Sequence, residues 1–119
     1  MVEREIYEKF KAAFVDKVKL LTVNDPLMAE VDIGAVGAKD HKEKILSYIA
    51  LAKKEGGTVL VGGNEVRLPD ELEGGYYVEP TVIEGLDMHC RTNQEEVFGP
   101  VVTIAPFDTA QEAIEMANA

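Results

Sequence analysis

Cysteine is close to absent. Cys90 is the only one among 119 residues, so no intrachain disulfide can form and the fold must rest on packing alone, which fits a reducing compartment. Basic residues are scarce too: twelve Lys and Arg stand against twenty-two Asp and Glu, a net charge of −10. That balance repels phosphate backbones and anionic lipid, so neither a nucleic-acid nor a membrane partner is expected. The acidity is spread along the chain with no block of like charge, as on a solvated surface. Long apolar runs are also missing. None approaches the roughly 18 residues that cross a bilayer, and Met1-Val2-Glu3-Arg4-Glu5 is charged where a signal segment would be apolar. A soluble, cytoplasmic protein is the expectation. There is no internal repeat and no low-complexity stretch.

What is present is a chain of single-domain size, 46% hydrophobic, able to bury a modest core. From Glu3 to Leu21, Ile6, Phe10, Ala13, Phe14, Val18 and Leu21 recur at spacings of three and four, opposite Glu8, Lys9, Lys11, Asp16 and Lys19. The pattern predicts an amphipathic helix with those apolar residues inward, closed by Asn24-Asp25-Pro26. A second helix is predicted from about Lys39 to Lys54, with Ile45, Tyr48, Ile49 and Ala52 on one face and Lys53-Lys54 at the negative end of its dipole. Thr58-Val59-Leu60-Val61, set between Gly56-Gly57 and Gly62-Gly63, reads as a buried strand, and the helix-then-strand order points to a crossover unit.

Gly62 to Gly75 reads as a polar connection. Tyr76-Tyr77-Val78 and Thr81-Val82-Ile83 flank Pro80, which must break a strand or lie at an edge. Val101 to Ile104 is a further strand. Thr109 with Glu112 forms a capping box that opens a helix whose Ala110, Ala113, Ile114 and Ala117 are expected to face inward. The expected order is therefore α, α, β, β, β, α: an α/β fold of about three helices on a short, partly parallel sheet. A chain that starts in one helix and stops inside another reads as an excised piece of a domain.

Few residues offer chemistry. Cys90 beside His89 invites a nucleophile reading, but adjacent side chains diverge and a lone cysteine is more often a packing residue. His41, His89 and Cys90 lack the paired spacing of structural zinc sites, and both histidines read most simply as surface residues. The glycine pairs lack the GxGxxG spacing that surrounds a pyrophosphate. What remains is Gln94-Glu95-Glu96-Val97-Phe98-Gly99-Pro100. A carboxylate here could accept hydrogen bonds from sugar hydroxyls beside a flat aromatic wall. On the residues alone, a solvated acidic pair next to a core Phe is the simpler account.

This segment resembles the Glu-Glu-Ile-Phe-Gly-Pro stretch of the aldehyde dehydrogenase superfamily. The likeness runs along the whole chain. Val23-Asn24-Asp25-Pro26-Leu27 resembles the family's Val-Gly-Asp-Pro-Leu turn, and Asp32-Ile33-Gly34 its Ile-Gly-Pro loop. Lys44 to Gly57 is similar to the helix before its glycine-ended strand, Gly75 to Val82 to its Gly-Tyr-Phe-x-x-Pro-Thr-Val strand, and Val101 to Asn118 to its Pro-Phe-Asp-bearing run. The resemblance implies a partial aldehyde dehydrogenase catalytic domain over residues 1–119, without the cofactor-binding domain, whose partner is the remainder of such a chain.

It also implies the cofactor, NAD or NADP, and the residues that meet it. Glu96 would hold the nicotinamide ribose, Phe98 would lie against the cofactor, and Lys44 would contact the adenosine ribose, with His41 where the family often has Gln. Gly37-Ala38 stands where a Ser or Asp usually caps this helix, a loss of about 1 kcal/mol. The cysteine that forms the thioester, the oxyanion donors and the glutamate that activates water lie in upstream segments. Cys90 matches a non-catalytic position, so this chain alone is expected to be inactive and to bind no cofactor. Residues 91–96 and 102–108 look most like the enzymes that oxidise muconic semialdehydes. The alternative is a free-standing, non-enzymatic module that self-associates through the face a missing domain would cover.

Overall fold

The computed structural model describes all residues, Met1 to Ala119. In chain order the elements are β1 (Val2–Glu3), α1 (Arg4–Lys19), α2 (Lys39–Lys54), β2 (Thr58–Val61), β3 (Glu65–Val66), β4 (Tyr77–Val78), β5 (Thr81–Glu84), α3 (Arg91–Gln94), β6 (Val101–Ile104), β7 (Pro106–Phe107) and α4 (Ala110–Ala117), with one 3-10 turn at Asp70–Leu72. The α/β reading stands, with four helices where three were expected. The extra one, α3, is only four residues long, too short to leave a periodic signal.

The centre is a three-stranded sheet in the order β2-β5-β6. β5 runs antiparallel to β2 and parallel to β6, so the sheet is partly parallel, as expected. The parallel crossover is β5-α3-β6 rather than the α2-to-β2 step that helix-then-strand order suggested. Two short ribbons, β1-β7 and β3-β4, complete the pairing. Pro80 divides its segment so fully that β4 and β5 join different sheets. Gly62, at φ +75°, sits across from it, and a side chain there would strike the Pro80 carbonyl, so the close approach needs glycine.

Strand alternation sends side chains to both faces of the central sheet. Val82 and Ile104 meet Tyr7 of α1, with Phe14 and Val18 beside it. Ile83 on the other face meets Ala52 of α2 and Leu86. Ile45 and Ile49 of α2 pack with Val78, Val59, Val97 and Val101. Helix, sheet and helix form three layers around three small clusters. The radius of gyration, 15.5 Å, exceeds the ~13.5 Å usual for this length; the molecule is elongated, 50 × 27 × 20 Å, and few residues are sealed from water.

Three expectations are corrected here. In α1 the inward stripe is Tyr7-Lys11-Phe14-Val18, while Ile6 (52% exposed), Phe10 and Ala13 face solvent. The amphipathic count chose the more hydrophobic stripe, yet the Tyr7 hydroxyl reaches Glu84 at 2.9 Å and Lys11 Nζ bonds the same carboxylate at 3.0 Å, so an amphipathic row is the one that docks. The helix also ends at Lys19, well before Asn24. Asn24-Asp25-Pro26 instead opens a turn in which Asp25 accepts from the Leu27 amide, an Asx turn held by Thr22 on Asp32 and a Val23–Ile33 bridge. In α4, Thr109 caps the Glu112 amide at 3.1 Å, the first half of the expected capping box, while the Glu112 carboxylate accepts from the amide of Asp108, one residue before the cap, rather than from that of Thr109. Its supposed inner face is not covered: Ile114 is exposed and no α4 residue is buried.

Candidate functional site

The site is built where α2 faces the segment from Glu95 to Pro100. Cys90 begins that segment's approach. It packs against the Ala52-Ile83-Leu86 cluster, and burial pushes its thiol pKa up, away from the thiolate a nucleophile needs. Cys90 offers α3 no side-chain cap. Glu55, just beyond α2, supplies one across space: its carboxylate accepts from the Arg91 and Thr92 amides at 3.0 and 3.2 Å and from the Thr92 hydroxyl at 2.6 Å. These bonds, the Thr92 hydroxyl first, hold the Glu55 pKa below its ordinary value.

The chain then leaves α3 extended, and its side chains alternate. Glu95 turns toward the protein, where Arg91 holds it in a fork at 2.7 and 3.0 Å and the Tyr48 hydroxyl donates to it. Arg91 first, then Tyr48, draw the Glu95 pKa down to about 2, and Tyr48 is raised in turn. Glu96 points out and is exposed. Val97 points in, onto the Ile45-Ile49-Val78 cluster. Phe98 points out, 69% exposed. Gly99 lies on α2 so closely that a Cβ would stand 2.5 Å from Ile45 Cδ1 and 2.7 Å from its Cγ1.

Phe98 also has φ +58°, a left-handed conformation that costs a bulky residue on the order of 1–3 kcal/mol. Packing on α2 holds it there. His41 Nε2 lies 2.5 Å from the Phe98 carbonyl oxygen and its ring 5.9 Å from the Phe98 ring. Lys44 Nζ donates to the Glu96 carbonyl at 3.2 Å. The four residues singled out in the sequence, His41, Lys44, Glu96 and Phe98, are therefore neighbours along one edge.

One bare reading changes outright: Phe98 is not a core residue. Glu95 and Glu96 are both exposed, as a solvated acidic pair would be, but the Glu95 carboxylate is also held by Arg91 and Tyr48. His41, read as a surface residue, is half-buried and bonded; His89 is exposed. The sequence reading missed Tyr48, Arg91 and Glu55 as parts of this site. The first two had a signal, since Tyr48 shares a helical stripe with His41 and Lys44, and Arg91 and Glu95 are four apart. Glu55 had none.

A shallow, open hollow of about 350 Å³ is bordered by Asn93, Glu96, Phe98 and Thr103. That is the low end for ligand clefts, so this edge supplies one wall of a site. A larger hollow of about 680 Å³ lies under the β3-β4 hairpin, away from the motif. Its Lys42 is engaged by Glu65 at 2.9 Å and by the Tyr76 ring. No three His, Cys, Asp or Glu side chains converge as metal ligands, and no helix is long and apolar enough to cross a membrane.

Known proteins resemble this chain in sequence and in fold. An aldehyde dehydrogenase of Paracoccus denitrificans is 44% identical over 118 residues, 99% of this chain and 23% of its own length. The 2-aminomuconic 6-semialdehyde dehydrogenase of a Pseudomonas species is 42% identical over 98% of this chain and 24% of its own. The betaine aldehyde dehydrogenase of Staphylococcus aureus in complex with NAD+ superposes with a TM-score of 0.92 at 44% identity, over 98% of this chain and 23% of that one. The chain thus spans about a quarter of the length of the relatives it matches. The pattern of the aldehyde dehydrogenase family covers residues 1–119, and this chain belongs to that family.

Proposed function

We propose that residues 1–119 form the part of a cytoplasmic, NAD(P)-dependent aldehyde dehydrogenase that faces the cofactor riboses. In this reading the remainder of the enzyme is the chain's partner, and the dinucleotide held between them supplies the hydride acceptor. The observation that carries it is the in-out alternation from Glu95 to Gly99, which leaves the Glu96 carboxylate and the Phe98 ring together and outward. A free carboxylate can accept from both hydroxyls of a ribose, and an exposed ring offers a flat wall. Lys44 and His41, one turn apart, take the adenosine-ribose side; each keeps a nitrogen donor or acceptor beyond its bond to the motif. The donor set fits a dinucleotide, and related structures from Staphylococcus aureus and Bacillus cereus contain NAD+.

The chain's own residues bind and orient; none performs the bond-making step. Cys90 is packed against the sheet, so the nucleophile that forms the thioester lies outside these residues. The isolated chain is accordingly expected to be inactive and to bind no dinucleotide tightly, because one wall does not enclose a ligand. For the substrate we put forward a muconic-type semialdehyde, on the likeness of residues 91–96 and 102–108. Relatives of similar identity are named for fluoroacetaldehyde, at 45%, and 4-trimethylaminobutyraldehyde, at 42%, so an aldehyde panel decides that point.

The test is Glu96→Gln in the intact enzyme. Loss of a charged acceptor for ribose hydroxyls is expected to weaken NAD+ binding roughly tenfold, measured by calorimetry, with the folding midpoint unchanged. Unaltered affinity would overturn the reading. A second reading, a self-associating module without enzymatic activity, draws on the exposed Ile6, Phe10, Leu20 and Ile114; sedimentation of the isolated chain against concentration checks it.

A further inference from the structure

α2 holds the motif by a row of side chains, and the row matches the motif in length. His41, Lys44 and Tyr48 are spaced by three and four, so they share one stripe of the helix. Their partners follow in reverse order along the facing segment: Tyr48 Oη donates to the Glu95 carboxylate, Lys44 Nζ to the Glu96 carbonyl, and His41 Nε2 meets the Phe98 carbonyl. Seven residues of helix rise about 10.5 Å, and three residues of extended chain span about 10 Å. The row and the segment therefore match from end to end, with Lys44 bonded between the two ends. A one-residue slip would put Glu95 and Val97 outward and Glu96 and Phe98 against the helix.

We propose that His41 and Tyr48 are positioning residues, which with Lys44 fix the register and the left-handed bend that aim Glu96 and Phe98 at the cofactor. The proposal rests on the reading of those two residues as cofactor contacts. Two bonds go to backbone carbonyls, which cannot rotate independently of the chain, so they set main-chain conformation rather than a side-chain rotamer. A carbonyl only accepts, which makes His41 Nε2 the protonated nitrogen. His41 acts at the strained residue itself. Phe98 would relax from φ +58° if its carbonyl were released, carrying its ring away from the outward face. At the other end Tyr48 closes on Glu95, which Arg91 grips from α3, so the segment is fixed at both ends.

The experiment uses the intact protein with His41→Ala, His41→Gln, Tyr48→Phe and, as the separating control, Glu96→Gln. Amide hydrogen exchange over residues 95–101 and NAD+ affinity are read on each, together with the folding midpoint. His41→Ala and Tyr48→Phe are expected to raise exchange in that segment and weaken NAD+ binding, each roughly fivefold, the effect of one lost hydrogen bond. His41→Gln keeps an N–H donor and is expected to restore both, which a merely structural role for the ring would not produce. Unchanged exchange in His41→Ala, or failure of His41→Gln to rescue it, overturns the proposal. Glu96→Gln is expected to lose NAD+ affinity with exchange unaltered. If it instead keeps full affinity, the ribose reading fails, while the exchange results still decide whether the row sets the motif's conformation.

Discussion

Two helices of equal length, α1 and α2, flank the same sheet and differ in how much of their apolar pattern is used. On α2, Ile45, Ile49 and Ala52 are sealed, and a polar row beside them grips the motif. On α1 only Tyr7 is buried, while Ile6 and Phe10 lie open; α4, beyond it, buries nothing. Periodicity thus states which residues can use a partner, not whether one is present. The sharpest way to break the comparison is to delete the same side chain in both places. Ile45→Ala, at 0% exposure, is expected to cost about 2–5 kcal/mol through lost transfer energy and a cavity. Ile6→Ala is expected to stay within about 0.5 kcal/mol. Urea midpoints of the two variants measure the difference, and equal losses would mean that the α1 face is covered in solution.

A smaller effect tests the join between α2 and the motif. Gly99→Ala places a methyl against Ile45 Cδ1, Cγ1 and Cγ2 at once, and Ile45 is β-branched and enclosed, so it has little room to turn. Overpacking of about 1–3 kcal/mol is expected. The double variant with Ile45→Val, which clears the Cδ1 position, should recover part of it. Additivity of the two losses, measured by the same unfolding curves, would place the strain elsewhere.

These two residues also show how far the sequence could be read. Ile45 was legible, because an apolar stripe between polar faces identifies α2 with its bounds, and the β-branched run between glycine pairs identifies β2. Gly99 was legible only as a break, since its need for a missing side chain comes from a helix fifty-odd residues earlier. The same limit explains Tyr7. Its burial depends on Glu84 and Ile104 of the sheet, while local hydrophobicity favoured Ile6. At the site, resemblance picked out Glu96, Phe98, Lys44 and His41, and the fold brought them to one edge. The bonds among them, and the Glu55 cap on α3, are long-range pairings that no local spacing records.

The smallest effect in the comparison is electrostatic. Glu95 on the α2 side and Asp108 on the α1 side each meet an arginine in a fork, from Arg91 and Arg4 respectively. Both carboxyls are held below their ordinary pKa. A depressed carboxyl stabilises the folded state above its unfolded pKa and loses that contribution as pH falls toward the folded value. For Glu95 the window runs from 4.5 down to about 2. Glu95 has Tyr48 as a second donor, whereas Asp108 relies on Arg4 alone, so Glu95→Gln should flatten the acid limb of the urea midpoint more than Asp108→Asn. Both pairs are open to solvent, and salt near 1 M, where screening acts within ~3 Å, should shrink the two effects without reversing their order. An acid limb that Glu95→Gln leaves unchanged would show that the Arg91-Glu95-Tyr48 grip contributes geometry to the motif and no net stability.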